Sequence, residues 1–328
     1  MLDKIIKRVE AQEYTILFNL RSGFEMIFGK PGFGDPFVLD LPCLIDVGIM
    51  GHCENRCSFC YQGDAQQPNM VLDDFKGIID CVKDHVNQVA LGGRGDPNLH
   101  EEFKEIILYS KKNRVIPNYT TSGLNLSFDQ IEISKECGAV AVSDYEKDFT
   151  YKAISRLMRA DIKTNIHMIL SRKTLEKAIS ILKGEDVWNM KVDLDRLNAV
   201  IFLLFKPAGR GVNLKELVPT NEDLKPFFDL LKEKTRFKIG MDSCLVNRLC
   251  QNSGLSEVEK VYLDTCEAGR MSCYISPDMK LFPCSFADFS QGESLRKNDL
   301  RTIWKSGTSF LNTRLLLEKE KDICPYGY

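Results

Sequence analysis

From residue 41 to about residue 242, short apolar runs alternate with segments whose apolar residues recur at helical spacing. The first run, residues 44–50, has the length of a strand, and Phe75, Ile78 and Ile79 follow the i, i+3, i+4 pattern of a helix. The same patterns predict further strands at residues 88–91, 115–119, 139–143, 162–170 and 199–205, and a last one at 237–241. Alternating strands and helices indicate an α/β fold with a parallel sheet and right-handed crossovers.

The two ends of the chain differ from this middle part. Residues 1–40 form a lead-in with one strand-like run at 14–18 and a glycine-rich loop at 29–35. Packing against the core and a lid over a substrate are both compatible with it. After residue 242 the alternation stops and cysteines become frequent. We therefore expect three parts: a lead-in at 1–40, a sheet domain at 41–242 and a cysteine-rich region at 243–328.

Composition narrows the class of protein. The 328 residues are 44% hydrophobic, which allows one large core plus an appended module. The net charge of −2 and the scattered lysines and arginines give no sign of a nucleic-acid partner. No apolar run is long enough to span a bilayer, and the charged N-terminus does not resemble a signal peptide. We expect a cytoplasmic protein, in which 12 cysteines serve as metal ligands and packed residues rather than disulfides.

Three cysteines lie close together in one short stretch: Cys53, Cys57 and Cys60. A structural zinc site takes four ligands, whereas three cysteines on a cubane iron–sulfur cluster leave one iron open to a small molecule. His52 is a poor fourth zinc ligand, because its neighbour Cys53 would have to point at the same metal. A zinc site completed by a distant ligand and cysteines that merely pack remain alternatives. The open iron favours catalysis.

The spacing C-x3-C-x2-C, with Phe59 before the third cysteine, resembles that of the radical SAM enzymes. The resemblance implies that the three cysteines hold a [4Fe–4S] cluster whose fourth iron chelates the amino and carboxylate groups of S-adenosylmethionine (SAM). One electron from the cluster would cleave the sulfonium, and the resulting 5′-deoxyadenosyl radical would remove a hydrogen from the substrate. It also implies a partial (β/α)6 barrel of parallel strands, which the six strands predicted before residue 207 match.

The resemblance further implies cofactor contacts where the strands end. Gly92, Gly93, Gly95 and Asp96 close the second strand and resemble the family's Gly-Gly-Glu-Pro motif, which binds the SAM amino group. Asp96 stands where glutamate is usual, and Arg94 interrupts the glycines. Without the cysteine motif, the stretch would be interpreted as an ordinary Gly/Pro turn.

Other candidates for cofactor binding follow the later strands. Asn165 and His167 lie two residues apart and share one face of the fifth strand, which either lines the barrel or belongs to the core. Arg210 follows the sixth strand and could bind a carboxylate or face solvent. The full set of further candidates is Thr121, Ser122, Ser143, Asn165 and Arg210.

A second group of cysteines follows residue 242. Cys266 and Cys284 flank a predicted hairpin with its turn at 276–279, and this stretch resembles the C-x(9–15)-G-x4-C pattern of SPASM or twitch extensions. Met279 replaces the glycine, which we expect to be tolerated because a type I turn needs no positive φ there. The resemblance implies that Cys266 and Cys284 hold an auxiliary iron–sulfur cluster. The other ligands would come from Cys244, Cys250, Cys273 and Cys324.

The later part of the SPASM motif is not found in this sequence. Only four residues follow Cys324, so either the sequence stops as the rest of the SPASM motif begins or the chain carries a single auxiliary cluster. A C-terminal segment held together by a structural zinc ion is the alternative. Three further cysteines, at 43, 81 and 137, lie in apolar patterns and are expected to be inert core residues.

Family members with such an extension commonly modify peptide or protein side chains by crosslinking, epimerisation or oxidation. We therefore expect a peptide maturase with a peptide or protein substrate and an electron donor such as flavodoxin or ferredoxin. Ser285 stands where sulfatase maturases typically carry an acid, which disfavours formylglycine formation. Candidate proton acceptors or substrate contacts are Asp288, Glu267 and Tyr274. A radical enzyme acting on a small molecule and a non-catalytic metal-binding protein are the alternatives.

Overall fold

The N-terminal part is a small antiparallel sheet. The computed structural model describes residues 5–188, 190–252, 254–260, 263–320 and 323–327. The sheet contains β1 (Ile6–Glu10), β2 (Tyr14–Asn19) and β3 (Glu25–Gly29) in that order. Only β2 was predicted. The short strands β1 and β3 carry mixed polar and apolar residues, and they form because each pairs along the apolar strand β2.

The centre of the molecule is a ten-stranded sheet in which seven neighbouring strands are parallel and follow chain order. They are β4 (Leu44–Met50), β5 (Gln88–Gly93), β6 (Ile116–Thr121), β7 (Val140–Ser143), β8 (Thr164–Leu170), β9 (Ala199–Leu204) and β10 (Lys238–Met241). The first six confirm the predicted partial (β/α)6 barrel. β10 confirms the strand predicted at 237–241 and adds a seventh parallel strand beside β9.

Helices follow the strands and cover the outside of the sheet. Those of the barrel are α1 (Leu72–Val82), α2 (Phe103–Lys112), α3 (Phe128–Ser134), α4 (Asp148–Arg159), α5 (Leu175–Leu182) and α6 (Asn221–Asp229). On β4, the alternating side chains of Ile45, Val47 and Ile49 are fully buried in the core against these helices. The residues between them, Asp46 and Gly48, therefore face the opposite side, the lumen of the barrel.

The N-terminal sheet covers the amino-terminal ends of the barrel strands. The Lys7 ammonium donates to the carbonyl of Lys83 at 2.6 Å, Arg114 donates to Ile6 at 3.0 Å, and Lys163 donates to Arg21 at 2.9 Å. Residues 83, 114 and 163 all lie just before strands. The lead-in thus packs beneath the barrel, at the end away from the first cysteine group, and is not a lid over that group.

The C-terminal part joins the same sheet. After α7 (Ser243–Asn252) and α8 (Glu257–Lys260), β11 (Ser272–Ile275) pairs in parallel with β4, and β12 (Lys280–Phe282) and β13 (Glu293–Ser294) continue the sheet. The helices α9 (Leu300–Ser306) and α10 (Thr308–Lys319) follow. The predicted hairpin is confirmed as β11–β12. No helix among the described residues is both long enough and apolar enough to cross a membrane.

Candidate active site

The first cysteine group lies in a loop, residues 51–60, that follows β4 at the carboxyl end of the parallel strands. Ligands of parallel sheets gather at this end. Glycines hold the loop from two sides. A Cβ on Gly95 would lie 2.4 Å from the carbonyl oxygen of His52, and a Cβ on Gly209 would lie 2.2 Å from that of Tyr61. The polypeptide backbone, and no side chain, therefore fits against the cysteine loop at both places.

Arg210 holds the same loop through its guanidinium. Its Nε donates to the carbonyl of Cys57 at 2.9 Å, and its Nη1 lies 3.4 Å from the carbonyl of Gly63. Its backbone N–H also donates to Cys60 at 2.9 Å. The predicted contact with a carboxylate remains a prediction, while the structure gives Arg210 a positioning role that the sequence did not suggest.

A polar network joins the loop to the second and third strands. The Asp96 carboxylate accepts hydrogen bonds from the Ser122 backbone at 2.8 Å and from the Ser122 hydroxyl, and Asn55 donates to the same hydroxyl at 3.3 Å. Burial raises the pKa of Asp96, and the Ser122 hydrogen bonds oppose that rise. Thr121 accepts from the backbone of Gly123 at 3.0 Å. The predicted residues Asp96, Thr121 and Ser122 are thus brought together.

The donor set fits an iron–sulfur cluster. The three cysteines are free thiols on one loop, and the aromatic ring of Phe59 stacks on Tyr145 at 6.0 Å. Burial raises the pKa of the Cys60 thiol, so this thiolate needs a cation to stabilise it. Within the described ranges, no three His, Cys, Asp or Glu side chains converge as a site for a single metal ion requires. Cysteines that bind different irons of a cubane do not need such convergence.

Four cysteines of the C-terminal part lie near one another. The Cys324 thiol hydrogen-bonds with that of Cys244 and raises its pKa, as burial also does. Burial, with a contribution from Cys324, raises the pKa of Cys266 to about 11 and that of Cys284 to about 12. Buried thiols that raise one another's pKa gain most from a shared cationic cluster. The structure thus brings Cys244, Cys266, Cys284 and Cys324 together.

The remaining cysteines differ in their surroundings. Cys273 is buried on β11 in the main hydrophobic core, and Cys250 is buried on α7. Of the three cysteines expected to be inert core residues, Cys43 is buried, Cys137 is partly buried and Cys81 is exposed. The expectation was therefore wrong for Cys81, which lies on the solvent side of α1.

The turn of the hairpin differs from the expected type I geometry at Met279. Met279 has a φ of +62°, in the left-handed region, so this position does demand the conformation that glycine adopts freely. The expectation that a type I turn would avoid a positive φ here was wrong. Met279 is the last residue of the turn, and its N–H donates to the carbonyl of Ser276 at 3.0 Å. Its side chain is buried in the core, which explains how a non-glycine residue can be retained there.

Aromatic side chains connect the two cysteine groups. The ring of Tyr61, next to Cys60, lies 4.6 Å from that of Phe286, whose N–H donates to the Cys284 sulfur at 3.4 Å. The Lys206 ammonium lies 4.2 Å from the centre of the Phe286 ring and 2.6 Å from the Asp242 carboxylate. Burial alone would lower the pKa of Lys206, but Asp242 and nearby thiols raise it. The two sites therefore share one partly buried junction, in which Lys206 is the buried residue.

The remaining candidates for cofactor binding, Ser143, Asn165 and His167, lie on strands that surround the barrel lumen. Ser143 and His167 pair in register, as do Ala141 and Asn165. Asn165 accepts a hydrogen bond from Asn198 at 2.6 Å. Burial lowers the pKa of His167 to about 4, so its ring is neutral. These positions agree with the interpretation in which this face of β8 lines the barrel rather than the core.

The three candidate proton acceptors lie apart. Asp288 is exposed and accepts from Ser290 at 2.9 Å, which lowers its pKa. Burial raises the pKa of Glu267 to about 7, with Asp264, Glu25 and Asp46 adding to the rise. Tyr274 is buried and pairs in register with Asp46 of β4. Of these three residues, only Tyr274 therefore borders the lumen. Its neighbour Asp46 also lies there, but it was not among the predicted site residues, because the pattern of β4 was interpreted only for its apolar residues.

Comparisons with known proteins agree with this geometry. The chain matches no protein-family model. Over 301 residues it is 23% identical to the mycofactocin maturase MftC of Mycobacterium tuberculosis, covering 84% of this chain and 73% of the relative. It is 22% identical to the sporulation killing factor maturation protein SkfB of Bacillus subtilis, covering 78% and 63%.

Solved structures share the fold. Streptococcus suis SuiB matches with a TM-score of 0.70 and 14% identity over 99% of this chain and 94% of SuiB. The protein anSMEcpe with bound AdoMet matches with a TM-score of 0.58 and 12% identity over 81% and 78% of the two chains. SuiB has also been solved with its precursor peptide SuiA, and that structure matches with a TM-score of 0.68 and 13% identity, covering 95% of this chain and 89% of SuiB.

Proposed function

We propose that this chain, a member of the radical SAM superfamily by its cysteine loop and its fold, is a maturase that modifies a side chain of a peptide or protein. The observation that carries the proposal is the placement of Cys53, Cys57 and Cys60 above the open end of a barrel whose opposite end is covered. Relatives named as maturases, and a related fold solved with a precursor peptide, support the substrate class.

The three cysteines would hold a [4Fe–4S] cluster, which, when bound, supplies the electron that cleaves SAM and so provides the radical for hydrogen abstraction. The chain itself positions that chemistry. Gly95, Gly209 and Arg210 hold the loop against the ends of β5 and β9. Gly92, on the lumen face, leaves space beside the SAM position that the resemblance implies.

We infer that the auxiliary cluster is held by Cys244, Cys266, Cys284 and Cys324. The mutual effects of these thiols on one another's pKa support the set, whereas Cys273 lies in the main core. Anaerobic reconstitution should then give about eight irons per chain, four for each cubane. Replacing Cys284 by alanine should reduce the count to about four, and Cys81→Ala, on the exposed side of α1, should not change it. A count that stays at about eight in Cys284→Ala would refute this ligand set.

The reaction is tested with the reconstituted protein, SAM and dithionite. We expect release of 5′-deoxyadenosine. By mass spectrometry, a peptide presented as substrate should show loss of two hydrogens after crosslinking or oxidation, or uptake of one deuterium from D2O after epimerisation. Cys57→Ala should abolish the release while Cys81→Ala retains it. Release that persists in Cys57→Ala would contradict the assignment of the first cluster.

The electron donor is also part of the proposal. A flavodoxin or ferredoxin would supply electrons one at a time to the clusters. Replacing dithionite by a reduced flavodoxin should support 5′-deoxyadenosine release. If flavodoxin and ferredoxin both fail while dithionite succeeds, this choice of donor is wrong.

A further inference from the structure

A buried cation lies beside the C-terminal cysteine group. Lys206 follows β9, and its side chain is only 4% exposed. Its ammonium lies 2.6 Å from the Asp242 carboxylate and 4.2 Å from the centre of the Phe286 ring. A lysine that has lost its hydration needs a partner to stay charged, and Asp242 supplies one. The fold therefore fixes one positive charge at this place.

The carboxylate of this ion pair also bonds to the backbone of the barrel and of α7. Its Oδ1 accepts hydrogen bonds from the N–H of Leu204 at 3.2 Å and from that of Leu245 at 2.9 Å, while its Oδ2 accepts one from Lys206. The two backbone N–H groups compensate part of the negative charge. The carboxylate therefore screens the ammonium less than it would without these bonds.

Two cysteines of the group are close in the chain to the residues that contact this ammonium. Cys244 follows Asp242 by two residues, at the beginning of α7. Phe286, whose ring the ammonium approaches, donates its N–H to the Cys284 sulfur at 3.4 Å. Lys206 is thus connected to each of these thiols through one residue that it contacts.

The electrostatics of the thiols show which end of the ion pair they feel. Burial raises the pKa of the Cys284 thiol, and Lys206 opposes that rise. The Cys324 thiol and burial raise the pKa of Cys244, whereas Lys206 lowers it. The effect of Asp242 on Cys244 has the opposite sign and is smaller than that of Lys206. The positive end of the pair therefore faces the thiols.

A cation beside an iron–sulfur cluster stabilises the reduced form, because reduction adds one negative charge. The potential of such a cluster depends on nearby charge and on hydrogen bonds to its sulfurs, and the N–H of Phe286 acts in the same direction as Lys206. A second cation, Arg270, has a weaker claim to this role. Burial raises the pKa of Cys266, Arg270 opposes the rise, and Glu267 adds to it.

We propose that Lys206 raises the reduction potential of the auxiliary cluster and thereby favours its reduced form. The proposal rests on the proposed function, because it takes Cys244, Cys266, Cys284 and Cys324 as the ligands. The step concerned is the transfer of one electron from the donor, reduced flavodoxin or dithionite, to the cluster, and no bond is formed or broken. Lys206 acts through the cluster and not on the substrate.

The test measures the reduction potentials of the anaerobic holoenzyme. The protein is titrated with dithionite in the presence of redox mediators, and each reduced cluster is followed by its EPR signal. The signal that SAM alters belongs to the first cluster, because SAM binds its open iron, and the other signal belongs to the auxiliary cluster. In the double variant Lys206→Met, Asp242→Asn, the equilibrium should shift roughly tenfold toward the oxidised auxiliary cluster, a fall of about 59 mV for a one-electron couple.

The double variant is used because Lys206→Met alone leaves the Asp242 carboxylate buried and unpaired. Lys206→Arg keeps the positive charge and should keep the auxiliary potential. Lys225→Met removes an exposed lysine that pairs with Asp229 at 3.0 Å, and it should change neither potential. The first cluster, whose cysteines lie on another loop, should keep its potential in every variant. Iron content and circular dichroism establish that each variant is folded.

An auxiliary potential that is unchanged in the double variant would overturn the proposal. An equal fall in Lys206→Arg would also do so, because it would assign the effect to packing on the Phe286 ring, and so would an equal fall for both clusters. Iron content and SAM cleavage are measured on the same wild-type preparation. About four irons per chain instead of about eight, or no cleavage, would refute the proposed function. Both clusters with intact cleavage and no effect of the double variant would refute only the role of Lys206.

Discussion

At the scale of single residues, Asp46 destabilises the free protein. Burial raises its pKa from the ordinary 3.8 to about 6, so the folded state disfavours the charged form. As pH rises from about 4 to 6, the unfolded chain loses this proton first and stability falls, by about 3 kcal/mol in total. Asp46→Asn should therefore raise the thermal unfolding midpoint at pH 7.5, and the gain should shrink as the pH falls below 6.

The control for this prediction is Asp73→Asn on the exposed face of α1, which should lower the midpoint slightly at most, because an exposed acid in the first turn of a helix contributes less than about 1 kcal/mol. An Asp46→Asn midpoint at or below that of the wild type at pH 7.5 would show that the carboxylate is paired in the folded protein. A residue that costs stability and points into a lumen is typical of functional sites.

Arg210 leads to a second prediction at this scale. Arg210→Lys keeps the charge but loses the planar fork that reaches both Cys57 and Gly63. Because outer partners of metal ligands typically contribute 10–100-fold in affinity, we expect roughly that much faster loss of iron to a chelator. Arg172→Lys, whose guanidinium pairs with Asp223 at 2.8 Å near the surface, is the matched control. Equal rates for the two variants would contradict the positioning role.

These residues show what the sequence could and could not predict. The three cysteines were identified because their spacing reports a local loop. The guanidinium of Arg210 could not be placed, since its partners lie about 150 residues earlier in the chain. Asp46 could not be identified either, because one acidic residue in an apolar strand does not reveal which face it occupies; the register of four strands places it on the lumen face.

At the scale of elements, the close contact between the loop after β9 and the cysteine loop leads to a prediction that compares two glycine substitutions. Gly209→Ala would place a Cβ 2.2 Å from the Tyr61 carbonyl at a φ of +55°, so we expect a loss of at least about 2 kcal/mol together with lower iron content. Gly77→Ala on α1 meets no atom within 4 Å and should stabilise the protein by about 0.5–1 kcal/mol, because alanine favours the helix. Unfolding midpoints and iron analysis distinguish the two outcomes, and a harmless Gly209→Ala would refute the tight contact.

Helices and strands whose apolar residues recur at regular spacing were predicted well. Short strands of mixed polarity were not. α1 buries Phe75, Ile78, Ile79 and Val82, as its periodicity predicted. The strands β1 and β3 were missed because five residues with mixed polarity carry little signal. The joining of β11 to β4 was also missed, since nothing local indicates which distant strand a hairpin will extend.

At the scale of the whole molecule, one buried ion pair connects the barrel to the C-terminal part. Lys206 follows β9, and Asp242, 2.6 Å away, accepts hydrogen bonds from the backbone of Leu204 and of Leu245 in α7. Lys206→Met should cost about 3–5 kcal/mol, because it leaves a buried carboxylate unpaired. The double variant Lys206→Met, Asp242→Asn should recover much of this loss, since asparagine keeps the acceptor without the charge.

Denaturation of the anaerobic holoprotein measures both variants. Lys225→Met, which breaks an exposed pair with Asp229, is the control and should change stability by less than about 1 kcal/mol. If the double variant is no more stable than Lys206→Met alone, the loss comes from packing against the Phe286 ring rather than from the unpaired charge.

The pairing of β11 with β4 has a consequence for how the enzyme is made. β4 leads directly into the first cysteine loop, yet one of its two neighbours in the sheet consists of residues 272–275. While the chain is still being synthesised, that edge of β4 stays unpaired until most of the protein has left the ribosome, because folding proceeds from the N-terminus. We therefore expect iron–sulfur clusters to be inserted only after the polypeptide is complete. Both cysteine groups should become able to bind a cluster at nearly the same time.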